Sequence, residues 1–239
     1  SDVALAFEGG SREQVVTVRR SSTGWRLVVS GRQGHSSGVF SEGAGYGAIY
    51  EAARILDRFR TTVAYERGIT FNAGVIAGGE RVTFDSTLLS GTTAGKTNII
   101  APTTVVVGDL RTVSPAQLDS ARALMRAIVT TGNLAQTRAS ISFEDGYPPM
   151  APTQGNERLR AVYDAASRAL GYGPVAGNDP TRRGAGDASF VAPIVDVIDG
   201  LGPDGAGSHS PQERVHLPSL VMQTERAAVV ITRLAREKR

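Results

Sequence analysis

The chain has no cysteine, so any metal must be held by His, Asp or Glu. A catalytic zinc takes about three such protein ligands and leaves a position for water. His209 stands in "GLGPDGAGSHSPQERVHLPS", a loop whose Gly and Pro residues exclude helix and regular strand. It follows an apolar run ending near Ile198, and loops beyond the ends of parallel strands are where α/β folds assemble ligand sites. Read alone, His209 is more often a surface imidazole satisfied by water, and His216 is structural or solvent-facing. Glu8 ends the alternation "VALAFE" just before Gly9 and Gly10, as a hard ligand or an ordinary solvated strand terminus.

Other residues have anion or carbonyl chemistry. "GAGDAS", Gly184 to Ser189, lacks the glycine and lysine spacing of a phosphate loop. It reads instead as a flexible loop whose backbone N–H groups near Gly186 can approach an anionic substrate. His35 in "GRQGHSSG", Asn98 in "TNIIAP" and Arg111 in "GDLR" each have a plain reading, as turn residues and a surface charge.

These residues need elements to position them. "SDVALAFEGG" opens on a buried-strand pattern that needs pairing partners, so either the sheet is completed downstream or part of the protein is missing. "EQVVTVRRSSTGWRLVVSGRQG" reads as strand-like runs around a Ser-Thr-Gly turn, and a helix spans about Tyr46 to Arg60 on the spacing of Ile49, Ala52, Ala53, Ile55 and Leu56. "GITFNAGVIAGGERVTFDSTLLSG" reads as two strands split by a Gly-Gly turn, and "TTVVVGDLRT" as a third. Ser114, Pro115 and Gly132 bound a second helix, and "RASISFEDGY" closes the set. Strand, helix, strands, helix, strand is the order of a split βαβ module with both helices on one face. Beyond the linker "PPMAPTQGNERL" come a helix, the strand-like "SFVAPIVDVIDG", the His209 loop and a last helix from about Pro218 to Arg236. The reading is an α/β protein in which a small domain is inserted into a larger one: 1–20 and 144–239 for the larger, 21–143 for the insert.

Taken together, "ALAFEGG", "GRQGHSSG", "TNIIAP", "GDLR", "GAGDASF" and "GLGPDGAGSHSPQERVHL" resemble, in order and spacing, the dinuclear zinc exopeptidases and amidohydrolases. That family includes glutamate carboxypeptidase, aminoacylase, tripeptidase and succinyl-diaminopimelate desuccinylase. The resemblance implies a metal-bearing catalytic α/β domain interrupted by a ferredoxin-like lid that also mediates dimerisation. It implies two divalent ions, zinc by family habit, with Glu8 a terminal ligand of one and His209 of the other. His35 and Asn98 would reach from the partner subunit's lid to the scissile carbonyl oxygen. Arg111 and the backbone near Gly186 would bind the substrate's terminal carboxylate, with Arg182 or Arg183 assisting. Asp204 and Glu213, near His209 in sequence, would be carboxylates that either support that ligand or hold the loop itself. The implied substrate is a small peptide or N-acyl amino acid.

The family also places a His-x-Asp motif, a bridging Asp and a Glu-Glu pair upstream of the Glu8 segment, and this sequence has none of them. The expectation is therefore a C-terminal portion of such an enzyme, inactive by itself. The alternative is a non-catalytic dimerisation and substrate-recognition module. With 41% hydrophobic and 21% charged residues and a formal charge of +3, charges of both signs are interspersed, which disfavours nucleic acid. No apolar run reaches the roughly 18 residues of a membrane span. Compartment cannot be read from the sequence.

Overall fold

The computed structural model describes residues 3–182 and 184–236. In chain order the first strands are β1 (Val3–Leu5), β2 (Gln14–Val15), β3 (Ser22–Gly31) and β4 (Gly34–His35), followed by helix α1 (Gly47–Thr62). Then come β5 (Thr70–Gly79), β6 (Arg81–Asp85), β7 (Ser90–Ala94), β8 (Ile99–Ile100), β9 (Thr103–Arg111), α2 (Pro115–Thr130) and β10 (Thr137–Tyr147). The last part holds α3 (Gln154–Ala169), β11 (Ala176–Gly177), α4 (Ala188–Val191), β12 (Asp196–Ile198), β13 (Gly205–Ala206), β14 (Arg214–Val215) and α5 (Leu217–Arg236). These residues fall into two compact units, one of residues 22–146 and one combining the segments before and after it.

In the 22–146 unit the sheet order is β10-β3-β9-β5, and β9 runs antiparallel to both β3 and β5. Along β3 the period of two is plain: Thr23, Trp25, Leu27 and Val29 are buried, and the residues between them are not. That face receives Ala48, Ala52, Ile55 and Phe59 of α1 and Ala121, Met125 and Val129 of α2, apolar positions recurring at helical spacing. Ser114 caps α2, its Oγ accepting from Gln117 N–H at 3.2 Å with Pro115 in the first turn. The result is the ferredoxin-like split βαβ arrangement.

Glu51 is a polar group wholly inside this unit. Its carboxylate accepts from Arg54 at 2.9 and 2.7 Å, from Asn133 Nδ2 at 2.7 Å and from Leu134 N–H at 3.1 Å. Burial pushes the Glu51 carboxyl up, but these donors and the Arg54 charge together outweigh it and hold it below the usual carboxylate range. The acid thereby ties α1 to the segment between α2 and β10.

The other unit is built on parallel pairs. β1 lies beside β12 with Val3 opposite Asp196 and Leu5 opposite Ile198, and β2 lies beside β11. Val15, Leu159, Tyr163, Ala166, Val175, Ile198, Leu201 and Val230 form its main core. Asn156, in the first turn of α3, accepts from Val197 N–H at 2.9 Å and donates to Thr17 O at 3.1 Å, so the helix start is bonded to two chain segments. No helix among the described residues is long and apolar enough to cross a membrane.

Three local expectations are corrected. Ser22, Thr23 and Gly24 are not a turn but the start of the continuous strand β3. Gly78 and Gly79 are not a turn either: they end β5, paired with Thr104 and Thr103. A Cβ at Gly78 would lie 2.8 Å from Thr104 Oγ1, and one at Gly79 2.5 Å from Thr93 Oγ1, so close approach is what these glycines serve. The hairpin turn lies instead between β6 and β7. The run "SFVAPIVDVIDG" is strand only at β12, because Ser189, Phe190 and Ala192 N–H groups bond to Gly186, Asp187 and Ala188 carbonyls and make the short helix α4 before Pro193.

Replacing Glu51 by Gln leaves Arg54 facing a neutral partner at a buried site, and a loss of about 3 kcal/mol is expected at neutral pH. A carboxyl held low stabilises above its unfolded-state range and loses that contribution as pH falls through its folded-state value. Urea midpoints of wild type and Glu51→Gln are therefore expected to differ at pH 7 and to begin to converge only as pH falls below about 4. Equal midpoints at pH 7 would contradict this account.

Candidate functional site

In the 22–146 unit, His35 and Asn98 are brought together by a short antiparallel pairing. β4 lies against β8 with His35 opposite Ile99, and Ser36 N–H donates to Asn98 O at 2.9 Å. Both side chains are exposed. His35 Nδ1 is approached by Ser37 N–H at 3.2 Å and by the Ser37 hydroxyl at 2.8 Å. A backbone N–H can only donate, so Nδ1 is the acceptor, and in the neutral ring the hydrogen sits on Nε2. The Asn98 amide is 3.5 Å from Nε2, too far for a strong bond. The pair thus presents an imidazole N–H and a carboxamide side by side with little mutual satisfaction.

Arg111 is not part of that pair. It ends β9, whereas His35 and Asn98 lie beyond the other end, where Thr103 faces Ser30. Eight residue steps of strand separate Thr103 from Arg111, roughly 27 Å. Arg111 is half-buried and its Nε donates to Asp109 at 2.9 Å.

In the other unit, Glu8 follows β1 and His209 sits at the tip of a loop closed by β13 pairing with β14. The loop is held by Ser210 N–H and Oγ donating to Gly207 O and by Glu213 N–H donating to Ser210 O. His209 has φ +64°, a left-handed conformation in which His, Asn and Asp are several-fold enriched among non-glycine residues. Its ring is exposed and makes no hydrogen bond among the described residues. Gly9 and Gly10, which follow Glu8, and Ser208, which precedes His209, are among the residues lining one cleft of about 460 Å³. His216 is exposed, its N–H donating to Asp204 O, and Asp204 pairs with Arg12 at 3.2 Å.

Glu8 Oε2 accepts from Arg19 Nη2 at 2.9 Å, and Oε1 has no partner among the described residues. Arg19 also bonds to Asp199 at 2.5 Å and to the carbonyls of Gly184 and Ala185. Asp187 pushes the Tyr147 phenol up, first through its carboxylate as a hydrogen-bond acceptor and then through its charge, with partial burial and the Glu8 charge adding to it. Gly186 is buried behind Arg19. Arg182 is exposed and 4.0 Å from Asp179, and Arg183 lies outside the described residues. Arg19, Asp199 and Tyr147 were not singled out in the sequence. Asp199 carries a signal, an acid at the end of the apolar strand "VDVI"; Arg19 and Tyr147 carry none.

A carboxylate oxygen and an unengaged imidazole are suitable donors for divalent ions such as zinc. As terminal ligands Glu8 and His209 fit. They do not complete a site: no group of three or more His, Asp or Glu among the described residues is arranged to hold an ion.

No curated protein sequence matches the chain. Among solved structures it is similar to a tripeptidase from Staphylococcus aureus, with TM-score 0.73, 17% identity, and 99% of this chain and 58% of that one covered. It is similar to aminopeptidase PepT from Bacillus cereus, with TM-score 0.73, 15% identity, and the same shares covered. The YXEP protein of Bacillus subtilis, described as a dinuclear metal-binding peptidase of the M20 family, gives 0.63 and 13% over 98% and 57%. The chain therefore spans little more than half the length of these proteins, and at such identities they show its fold: part of a zinc-exopeptidase-like α/β domain interrupted by a ferredoxin-like insert. A family model for the peptidase dimerisation domain matches residues 17–137, just over half of the chain, and the chain belongs to that family, the M20 peptidase dimerisation domain.

Proposed function

We propose that this chain is the lid-bearing portion of a metal-dependent peptidase or amidase that hydrolyses an amide bond next to a terminal carboxylate. The observation that carries the reading is the His35–Asn98 pair. With Nδ1 occupied by Ser37, His35 offers Nε2–H, and Asn98 offers an amide N–H beside it. Two exposed donors of this kind suit the oxygen of a scissile carbonyl, which gains negative charge as the bond is attacked. Arg111 is suited by its planar fork to bind a substrate carboxylate. Glu8 and His209 would each hold one of two divalent ions, zinc in the expected case, and the remaining ligands and the general base would come from outside this sequence. When bound, the ions supply Lewis acidity and an activated water.

The length of β9 supports a homodimer. A small peptide or N-acyl amino acid cannot span the roughly 27 Å of strand between Arg111 and the His35 end. If both act on one substrate, they come from different copies. β5 is a sheet edge; Ile76 on it and Ile49 of α1 are 57% and 46% exposed. A Cβ at Gly78 of β5 would be 3.0 Å from Ile49 Cγ1, so the two isoleucines flank one edge. An open edge strand bordered by apolar side chains is suited to pairing with its own copy about a two-fold axis.

The second reading is a dimerisation and substrate-recognition module without catalysis, and what supports it is the match of residues 17–137 to the peptidase dimerisation domain. Bound zinc and amide hydrolysis, measured on this polypeptide and on one extended upstream, separate the two. Stoichiometric zinc with turnover from the shorter form would rule out the incomplete-site reading.

In the extended protein, His209→Ala is expected to lose metal and activity together. His35→Ala is expected to keep metal and lose about 2.7–4 kcal/mol of transition-state stabilisation in kcat; unchanged turnover would remove His35 from the chemistry. Mixing His35→Ala with Arg111→Ala subunits is expected to restore about a quarter of wild-type activity, since half the dimers then carry one intact site. No recovery, with mixed dimers present by mass analysis, would place both residues at one subunit's site. Ile76→Glu is expected to give monomers by light scattering.

A further inference from the structure

Arg19 is 4% exposed, and its backbone is fixed by a reciprocal pair of 3.0 Å hydrogen bonds with Met150. All three guanidinium nitrogens are used. Nε donates to Asp199 Oδ2 at 2.5 Å, Nη2 to Glu8 Oε2 at 2.9 Å, and Nη1 to the Gly184 and Ala185 carbonyls at 3.1 and 3.3 Å. Asp199 is wholly buried and independently held: its backbone exchanges bonds with Val16 at 2.7 and 2.9 Å, and its Oδ1 accepts from Gly200 N–H at 2.5 Å.

The charge count is informative. Asp199 by itself neutralises Arg19, as a buried ion pair requires. Glu8 is a second carboxylate on the same cation, so the three groups sum to one negative charge. Its side chain is 45% exposed, and it has one oxygen tied and the other open. A structural ion pair has no need of this third member, whereas a ligand whose orientation matters does, because groups behind a ligating carboxylate fix its donor atom and tune affinity.

Gly186 belongs to the same arrangement. A Cβ there would lie 2.6 Å from Arg19 Cζ and 2.7 Å from Nε, so only glycine lets this loop close against the guanidinium. The neighbouring carbonyls of residues 184 and 185 then complete the arginine's bonding.

We propose that Arg19, seated by Asp199 and by the absence of a side chain at Gly186, is a positioning residue that fixes one oxygen of Glu8 and leaves the other as a one-atom metal donor. This rests on Glu8 being a metal ligand. It assigns Gly186 to Arg19, in place of direct contact with a substrate carboxylate.

The test is zinc affinity, titrated against a competing chelator in the protein carrying the upstream ligands, with metal-free melting temperature as the control on folding. Glu8→Ala is measured first: loss of one of two ions supports the ligand reading, and retention of both at wild-type affinity overturns that reading and this one with it. Given that loss, the paired variant Arg19→Met with Asp199→Asn, which leaves no buried charge unpaired, is expected to weaken one ion by about ten- to a hundred-fold and leave the other unchanged. Arg19→Lys is expected to recover only part of the affinity, because an ammonium cannot span the same acceptors. Gly186→Ala is expected to weaken the same ion. Wild-type affinity for both ions in a folded paired variant overturns the positioning role. If that variant does not fold, wild-type affinity in both Arg19→Lys and Gly186→Ala overturns it equally. A Gly186→Ala protein with raised KM and unaltered zinc affinity returns Gly186 to the substrate.

Discussion

A guanidinium taken out of water must have its charge answered and its N–H groups bonded, or the fold bears several kcal/mol of uncompensated desolvation. Arg19 meets that demand with a buried acid at the end of β12, an exposed acid after β1 and two carbonyls before α4. Segments far apart in sequence, residues 8, 184–186 and 199, are thereby drawn to one cation. The parallel pairing of β1 with β12 supplies the frame, since Glu8 and Asp199 leave the sheet at the same end of adjacent strands. The candidate ligand is thus a consequence of backbone pairing and charge neutralisation acting together.

The 22–146 unit works under a different constraint, the length of a strand. β9 carries Thr103 at one end and Arg111 at the other, and no rotamer of either end's side chains closes that gap. What the unit can present locally is a pair of donors at its β4–β8 end, made adjacent by only two paired residues on each strand. Its sheet and helices share one packed apolar face, and Glu51, whose carboxylate is stabilised by three donor residues against its own burial, ties α1 to the segment before β10.

The elements that were legible in the sequence are those whose pattern is periodic and locally capped. α1 and α2 follow the apolar spacing and the Ser114–Pro115 start, and β3 and β9 follow their alternation or apolar run. The errors fall where a residue's local preference is overridden by a neighbour it cannot foresee. Gly78 and Gly79 look like a turn, yet they are strand residues made small by Thr104, Ile49 and Thr93. "SFVAPIV" looks like strand, yet its backbone N–H groups find partners three and four residues back and none across a sheet.

The candidate residues divide along the same line. The sequence by itself determined the chemical types available: no thiolate, three imidazoles, acids at strand ends, and an arginine and an amide on the inserted module. Their order along the chain was enough for the family resemblance, because order and spacing survive without any knowledge of contacts. Only the tertiary structure decided that His35 and Asn98 are neighbours 63 residues apart, that Arg111 is remote from them, and that Glu8 stands on Arg19. The reason is physical. Residue type and spacing are local quantities, whereas hydrogen-bond completion and charge neutralisation are settled by whichever distant groups the backbone pairing brings within about 3 Å.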